Sequence, residues 1–81
     1  MTLTFDPRYN IAYLRLREKA GHVESIRVSE ELVIDMTPDG EVYGFELLNA
    51  NEQLRNETGK LLLFNEATGD KTEVDLAITK A

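Results

Sequence analysis

Apolar and polar residues alternate along much of this chain with a period of two, the pattern of half-buried strands. Thr2–Phe5 (TLTF) begins that way, and Asp6-Pro7-Arg8 follows as a turn with proline preset for its second position. In Ile11–Arg17 (IAYLRLR), Ala12, Leu14 and Leu16 lie on one face, and Ile11, Tyr13, Arg15 and Arg17 on the other. Lys19-Ala20-Gly21 reads as a turn. His22–Ser29 (HVESIRVS) is a strand with Ile26 and Val28 as its apolar members, and its imperfect parity predicts a bulge or bend. Glu31–Met36 and Glu41–Leu48 form a hairpin around Pro38-Asp39-Gly40. At Asn49–Gly59 the pattern changes: Asn49 with Glu52 three positions on is a capping pair, and Gly59 suits a helix end. With Leu54 as its only apolar anchor, the helix near 50–57 is short and weak. Lys60–Phe64 and Thr72–Ile78 read as two closing strands around NEATGDK. The sum is a mainly β domain, α+β at most: an antiparallel meander of about six to seven short strands with one short helix. No linker divides residues 1–81, so one small domain is expected, with 51–81 adding a helix or turn and a hairpin.

The register of the central hairpin carries most of the functional reading. Pro-Asp-Gly favours a type I turn followed by a left-handed residue, a position that suits Gly40. Such a loop pairs Thr37 with Glu41, Met36 with Val42, Asp35 with Tyr43 and Leu32 with Glu46. One face then holds Leu32, Ile34, Met36, Val42, Gly44, Glu46 and Leu48; the other holds Val33, Asp35, Tyr43, Phe45 and Leu47. On this register Asp35 and Glu46 point to opposite sides, whereas a four-residue loop pairing Met36 with Glu41 would bring them together. Both faces come out largely apolar, and two apolar faces need two covers. A single short helix supplies one at most, so a twofold homodimer is expected, with Val33, Tyr43, Phe45, Leu47 and Tyr13 as its interface residues.

Composition narrows the functional classes. Eighty-one residues with 42% hydrophobic content allow only a thin core, and the absence of cysteine removes disulfides as reinforcement. Fifteen acids against nine bases leave a net charge of −6, which repels nucleic acid and anionic membrane. The start MTLTFDPRYN lacks a signal-peptide pattern, and the apolar run Leu61–Phe64 is too short to span a bilayer, so a cytoplasmic protein is expected. Asn56-Glu57-Thr58 matches a glycosylation acceptor only by chance on that reading. The one histidine, His22, has no evident partner, and the five glycines are scattered singly, so neither a nucleophilic triad nor a phosphate loop is visible. No cofactor is expected. If chemistry exists, Asp35 and Glu46 are the acid–base or hard-cation candidates, with Asp6 or Asp39 nearby.

Three stretches point to a family. They are the tyrosine-centred strand Asn10-Ile11-Ala12-Tyr13-Leu14-Arg15-Leu16, the V-x-D-x-x-x-D-G run Val33 to Gly40, and Gly44-Phe45-Glu46-Leu47-Leu48 followed by Asn49-Ala50. Over Phe5–Ala50 the chain resembles the domain of unknown function 2283, a family of short bacterial and archaeal proteins. Asn10 stands where that pattern more usually has aspartate, which weakens any metal site needing a carboxylate there. The resemblance implies no assigned activity. Some members look like small partners encoded beside compact basic toxins, which implies an antitoxin-like binding role as one alternative. The reading that results is a non-catalytic homodimeric interaction module. Its alternatives are an enzyme using Asp35 and Glu46, or a partner of a small basic protein.

Overall fold

A computed structural model describes residues 1–18, 21–55 and 59–76. Five strands form one antiparallel sheet: β1 (Thr2–Asp6), β2 (Ile11–Arg15), β3 (Glu24–Ser29), β4 (Leu32–Met36) and β5 (Val42–Leu48). Their spatial order is β1-β2-β5-β4-β3, so the central strand β5 lies between β2 and β4. A four-residue helix, α1 (Ala50–Gln53), leads to a separate hairpin of β6 (Lys60–Phe64) and β7 (Lys71–Asp75). The architecture is the mainly β, antiparallel one expected. The predicted turn at residues 19–20, the tail of the predicted helix at 56–57, the acceptor motif at 56–58 and the end of the last predicted strand at 77–78 lie outside the described residues.

The turn closes as predicted, and the register then departs from prediction one step later. Thr37 N–H donates to Glu41 O at 2.8 Å, Gly40 N–H donates to Thr37 O at 2.9 Å, and Gly40 has φ +90°. Met36 faces Val42, but the next pair is Asp35 with Gly44, so Tyr43 is an extra residue in β5. Its carbonyl accepts from Leu16 N–H at 2.9 Å, past the end of β2. This bulge shifts β5 by one residue and reverses its parity from Gly44 onward. Val33 therefore faces Glu46, Ile34 faces Phe45 and Leu32 faces Leu47. A second irregularity lies in β3 at Val28, where a bulge or bend was expected.

The bulge sorts the two faces. One carries Leu3 and Phe5 of β1, Ala12 and Leu14 of β2, Phe45 and Leu47 of β5, Leu32 and Ile34 of β4, and Ile26 of β3. The opposite face carries Thr2, Thr4, Tyr13, Arg15, Gly44, Glu46, Asp35 and Ser25, with Val33, Ile11 and Leu48 among them. The expectation of two apolar faces is thus corrected to one apolar face and one mixed, mainly polar face. Cover of the apolar side is incomplete among the described residues: the only buried hydrophobic residues there are Ala12 and Ala50, and no large side chain is fully buried. Phe45, Leu47, Leu14 and Ile34 are half-buried, and Ile26 remains 48% exposed.

The helix start is also capped differently from the expected pair. Asn49 is in the left-handed region (φ 54°) and its side chain makes no capping bond. The end of the sheet is instead fastened by Asn10, itself left-handed at φ 57°. Asn10 O accepts from Ala50 N–H at 3.0 Å, its Oδ1 accepts from Asn51 N–H at 2.9 Å, and its Nδ2 donates to Asn51 Oδ1 at 2.8 Å. An amide both donates and accepts here, which a carboxylate could not do. This is what asparagine contributes at position 10.

Candidate functional site

The bulge places Asp35 and Glu46 on one face, contrary to the predicted opposition, because it alters the parity of β5 between the turn and Glu46. Asp35 lies opposite Gly44, and Glu46 lies opposite Tyr13 on β2. Asp35 and Tyr13 meet directly: the Tyr13 hydroxyl donates to Asp35 Oδ2 at 2.6 Å. From the other side, Ser25 Oγ donates to Asp35 Oδ1 at 2.6 Å. A polar row thus crosses four strands, β2, β5, β4 and β3, with a carboxylate at its centre.

Gly44 makes that row possible. The Tyr13 ring crosses β5 directly over Gly44 to reach Asp35 on the far strand. A Cβ on Gly44 would lie 2.8 Å from Tyr13 Cε1, 2.9 Å from the Tyr13 hydroxyl and 2.6 Å from Leu14 O. Glycine is required here for close approach, at a backbone conformation that is not left-handed. Partial burial, then the bond to the Asp35 carboxylate, push the Tyr13 hydroxyl well above the ordinary tyrosine range. Tyr13 is therefore a fixed, neutral donor near neutral pH.

These contacts limit the chemistry of the row. Each Asp35 oxygen already accepts a short bond, so the carboxylate acts as an organiser of Tyr13 and Ser25. Glu46 is half-buried, and its side chain makes no hydrogen bond or ion pair with the described residues. No cluster of three or more His, Cys, Asp or Glu side chains suited to a metal occurs among the described residues. Asp39, one of the nearby acids, instead accepts from Thr37 Oγ1 at 2.6 Å within the turn; this bond holds its carboxyl below the ordinary aspartate range. Asp6 is bonded by Arg8, which lowers it likewise.

The five residues expected at an interface do not form one patch. Phe45 and Leu47 lie on the apolar face, whereas Val33 and Tyr13 lie on the polar face, and the bulged Tyr43 lines a hollow there beside Tyr13 and Arg15. Sequence reasoning missed Ser25 and the spanning role of Tyr13. The visible signal was a glycine inside an apolar strand, which marks close approach by another group. No helix among the described residues is long and apolar enough to cross a membrane. The family model described as a protein of unknown function (DUF2283) matches residues 2–51. No curated protein and no solved structure matches the chain.

Proposed function

We propose, for a chain that belongs to the family of proteins of unknown function DUF2283, a non-catalytic role as a homodimeric interaction module built on the apolar face of its sheet. The observation that carries this reading is an apolar face spanning all five strands with no large side chain fully buried among the described residues. Surface area agrees with it. The protomer exposes 6207 Å², against about 4,900 Å² for a compact monomer of 9.2 kDa. The surplus, about 1,300 Å², is shared between the five-stranded sheet and the separate β6–β7 hairpin, and it is compatible with the roughly 800 Å² that each partner buries in a standard interface. The protomer is also flat, 36 × 36 × 21 Å, with a radius of gyration of 14.3 Å where about 12 Å suits a compact chain of this length. Two such sheets packed face to face would form a sandwich with Phe45, Leu14, Ile34 and Leu47 at its centre.

Sedimentation equilibrium over a concentration series tests this directly. A mass near twice 9.2 kDa is expected at micromolar concentration, and Phe45→Lys should shift the equilibrium to monomer. A folded, cooperative monomer at 100-fold higher concentration would overturn the proposal. The net charge of −6 supports a second occupant of the same module, a small basic protein. Capture of such a protein, weakened by added salt, is the outcome that reading requires. Asp35 and Glu46 sharing a face is the one feature that favours an acid–base or hard-cation enzyme. Heat or a thermal shift on adding magnesium, calcium or manganese would support that alternative.

A further inference from the structure

The polar face holds a hollow of about 300 Å³ near the β1 edge, walled by Thr2, Thr4, Tyr13, Arg15 and Tyr43. Four of these side chains end in a hydroxyl and one in a guanidinium; no carboxylate lines it. Arg15 is half-buried, and its one side-chain hydrogen bond is a long one, 3.4 Å to Thr2 Oγ1. It forms no ion pair with any described residue. Arg8, Arg17 and Arg55 each lie within 3.2 Å of a carboxylate oxygen, whereas Arg27 donates to the Ser29 and Glu30 backbone carbonyls.

Local geometry explains how Arg15 stays open. Its cross-strand neighbour on β5 is Gly44, which offers no side chain. Glu46, two positions along β5, faces Tyr13 and makes no bond to Arg15. The Tyr13 hydroxyl is committed to Asp35 and so forms a wall. Thr2 Oγ1 accepts from Arg15 and keeps its proton to donate, while the Thr4 and Tyr43 hydroxyls make no hydrogen bond with the described residues. A half-buried guanidinium with hydroxyls around it and no carboxylate in the lining can take up an oxyanion through charge-assisted hydrogen bonds.

We propose that this hollow binds a small molecule bearing an oxyanion, a carboxylate or a phosphate, on Arg15, with Thr2, Thr4 and Tyr43 as neutral donors. The guanidinium fork matches two oxygens of either group. The volume, at the small end of ligand sites, admits a small molecule carrying the anionic group. A neighbouring hollow of about 630 Å³ shares the Thr4 and Tyr13 walls and includes Pro7 and Ile11, which gives an apolar remainder somewhere to lie. This site is on the face opposite the proposed dimer interface, so dimerisation would leave it open.

Titration of the isotopically labelled full chain by amide NMR tests the site, with sodium acetate, sodium benzoate and sodium phosphate as probes at matched ionic strength. Sodium chloride is the control. Saturable shifts at Thr2, Thr4, Arg15 and Tyr43 are expected with at least one oxyanion, and the probe that saturates at lowest concentration separates carboxylate from phosphate. Arg15→Gln should weaken binding roughly tenfold or more, the loss expected for a charge-assisted bond. Shifts that match those of chloride, or Arg15→Gln binding within twofold of the parent, would overturn the inference. Should Arg15→Gln fail to fold, the Thr4→Val/Tyr43→Phe double variant carries the same test, with at least a threefold loss required. Sedimentation of the same samples keeps the two proposals apart: a monomer that binds leaves this site standing, and a dimer that does not bind refutes it alone.

Discussion

Replacing Gly44 with alanine probes the packing on which the polar row depends. The new methyl would meet Leu14 O at 2.6 Å, Tyr13 Cε1 at 2.8 Å and the Tyr13 hydroxyl at 2.9 Å. Backbone strain does not enter, because Gly44 is not among the glycines with positive φ. Leu14 O belongs to a strand paired on both sides and cannot withdraw without widening the sheet. Tyr13 can lift, but doing so breaks its 2.6 Å bond to the Asp35 carboxylate. Overpacking costs about 1–3 kcal/mol and loss of a bond to a charged group about 1.5–3 kcal/mol. Gly44→Ala should therefore destabilise by roughly 2.5–6 kcal/mol, a large share of the ~4–12 kcal/mol available to a chain of this length. Urea unfolding followed by circular dichroism at fixed protein concentration measures the loss. A cycle with Tyr13→Ala isolates its cause: without the ring only Leu14 O obstructs the methyl, and the penalty should fall by about 1–3 kcal/mol. A penalty below about 1 kcal/mol, or one equal in both backgrounds, would refute the account of Gly44 as the crossing point of Tyr13.

Asn10→Ala should cost about 2–3 kcal/mol in the same assay, combining lost bonds to Asn51 with left-handed strain, while Asn10→Gly should cost about 1 kcal/mol less by relieving the strain. Tyr13 is raised above its unfolded value, so its contribution is fully present below pH 10 and is lost as pH rises through the folded pKa. Absorbance titration should show one tyrosine ionising late, and Tyr13→Phe should remove both that step and the matching stability loss. Carbon NMR of the carboxyl groups should place Asp6 and Asp39 below 3.8, with Thr37→Val returning Asp39 toward it. The stability these two acids contribute is present above that value and is lost as pH falls through their lowered folded pKa values.

Much of the architecture was legible locally. Alternation, Gly and Pro placement and the Pro-Asp-Gly loop specify strands, turns and the Thr37–Glu41 closure, because each depends on residues a few positions apart. The family membership was likewise carried by short motifs around Tyr13, Asp35 and Gly44. What lay beyond the sequence was one extra residue in β5. The bulged Tyr43 has its carbonyl bonded to Leu16 N–H just past the end of β2, a contact between residues 27 positions apart that no hairpin rule contains. That extra residue decides the parity of every later side chain in β5. It brings Asp35 and Glu46 to one face, divides the expected interface residues between two faces, and lays Tyr13 across Gly44. Local pattern determined which segments pair; only the three-strand packing decided which side each residue faces, because side-chain direction inverts with one residue of slip.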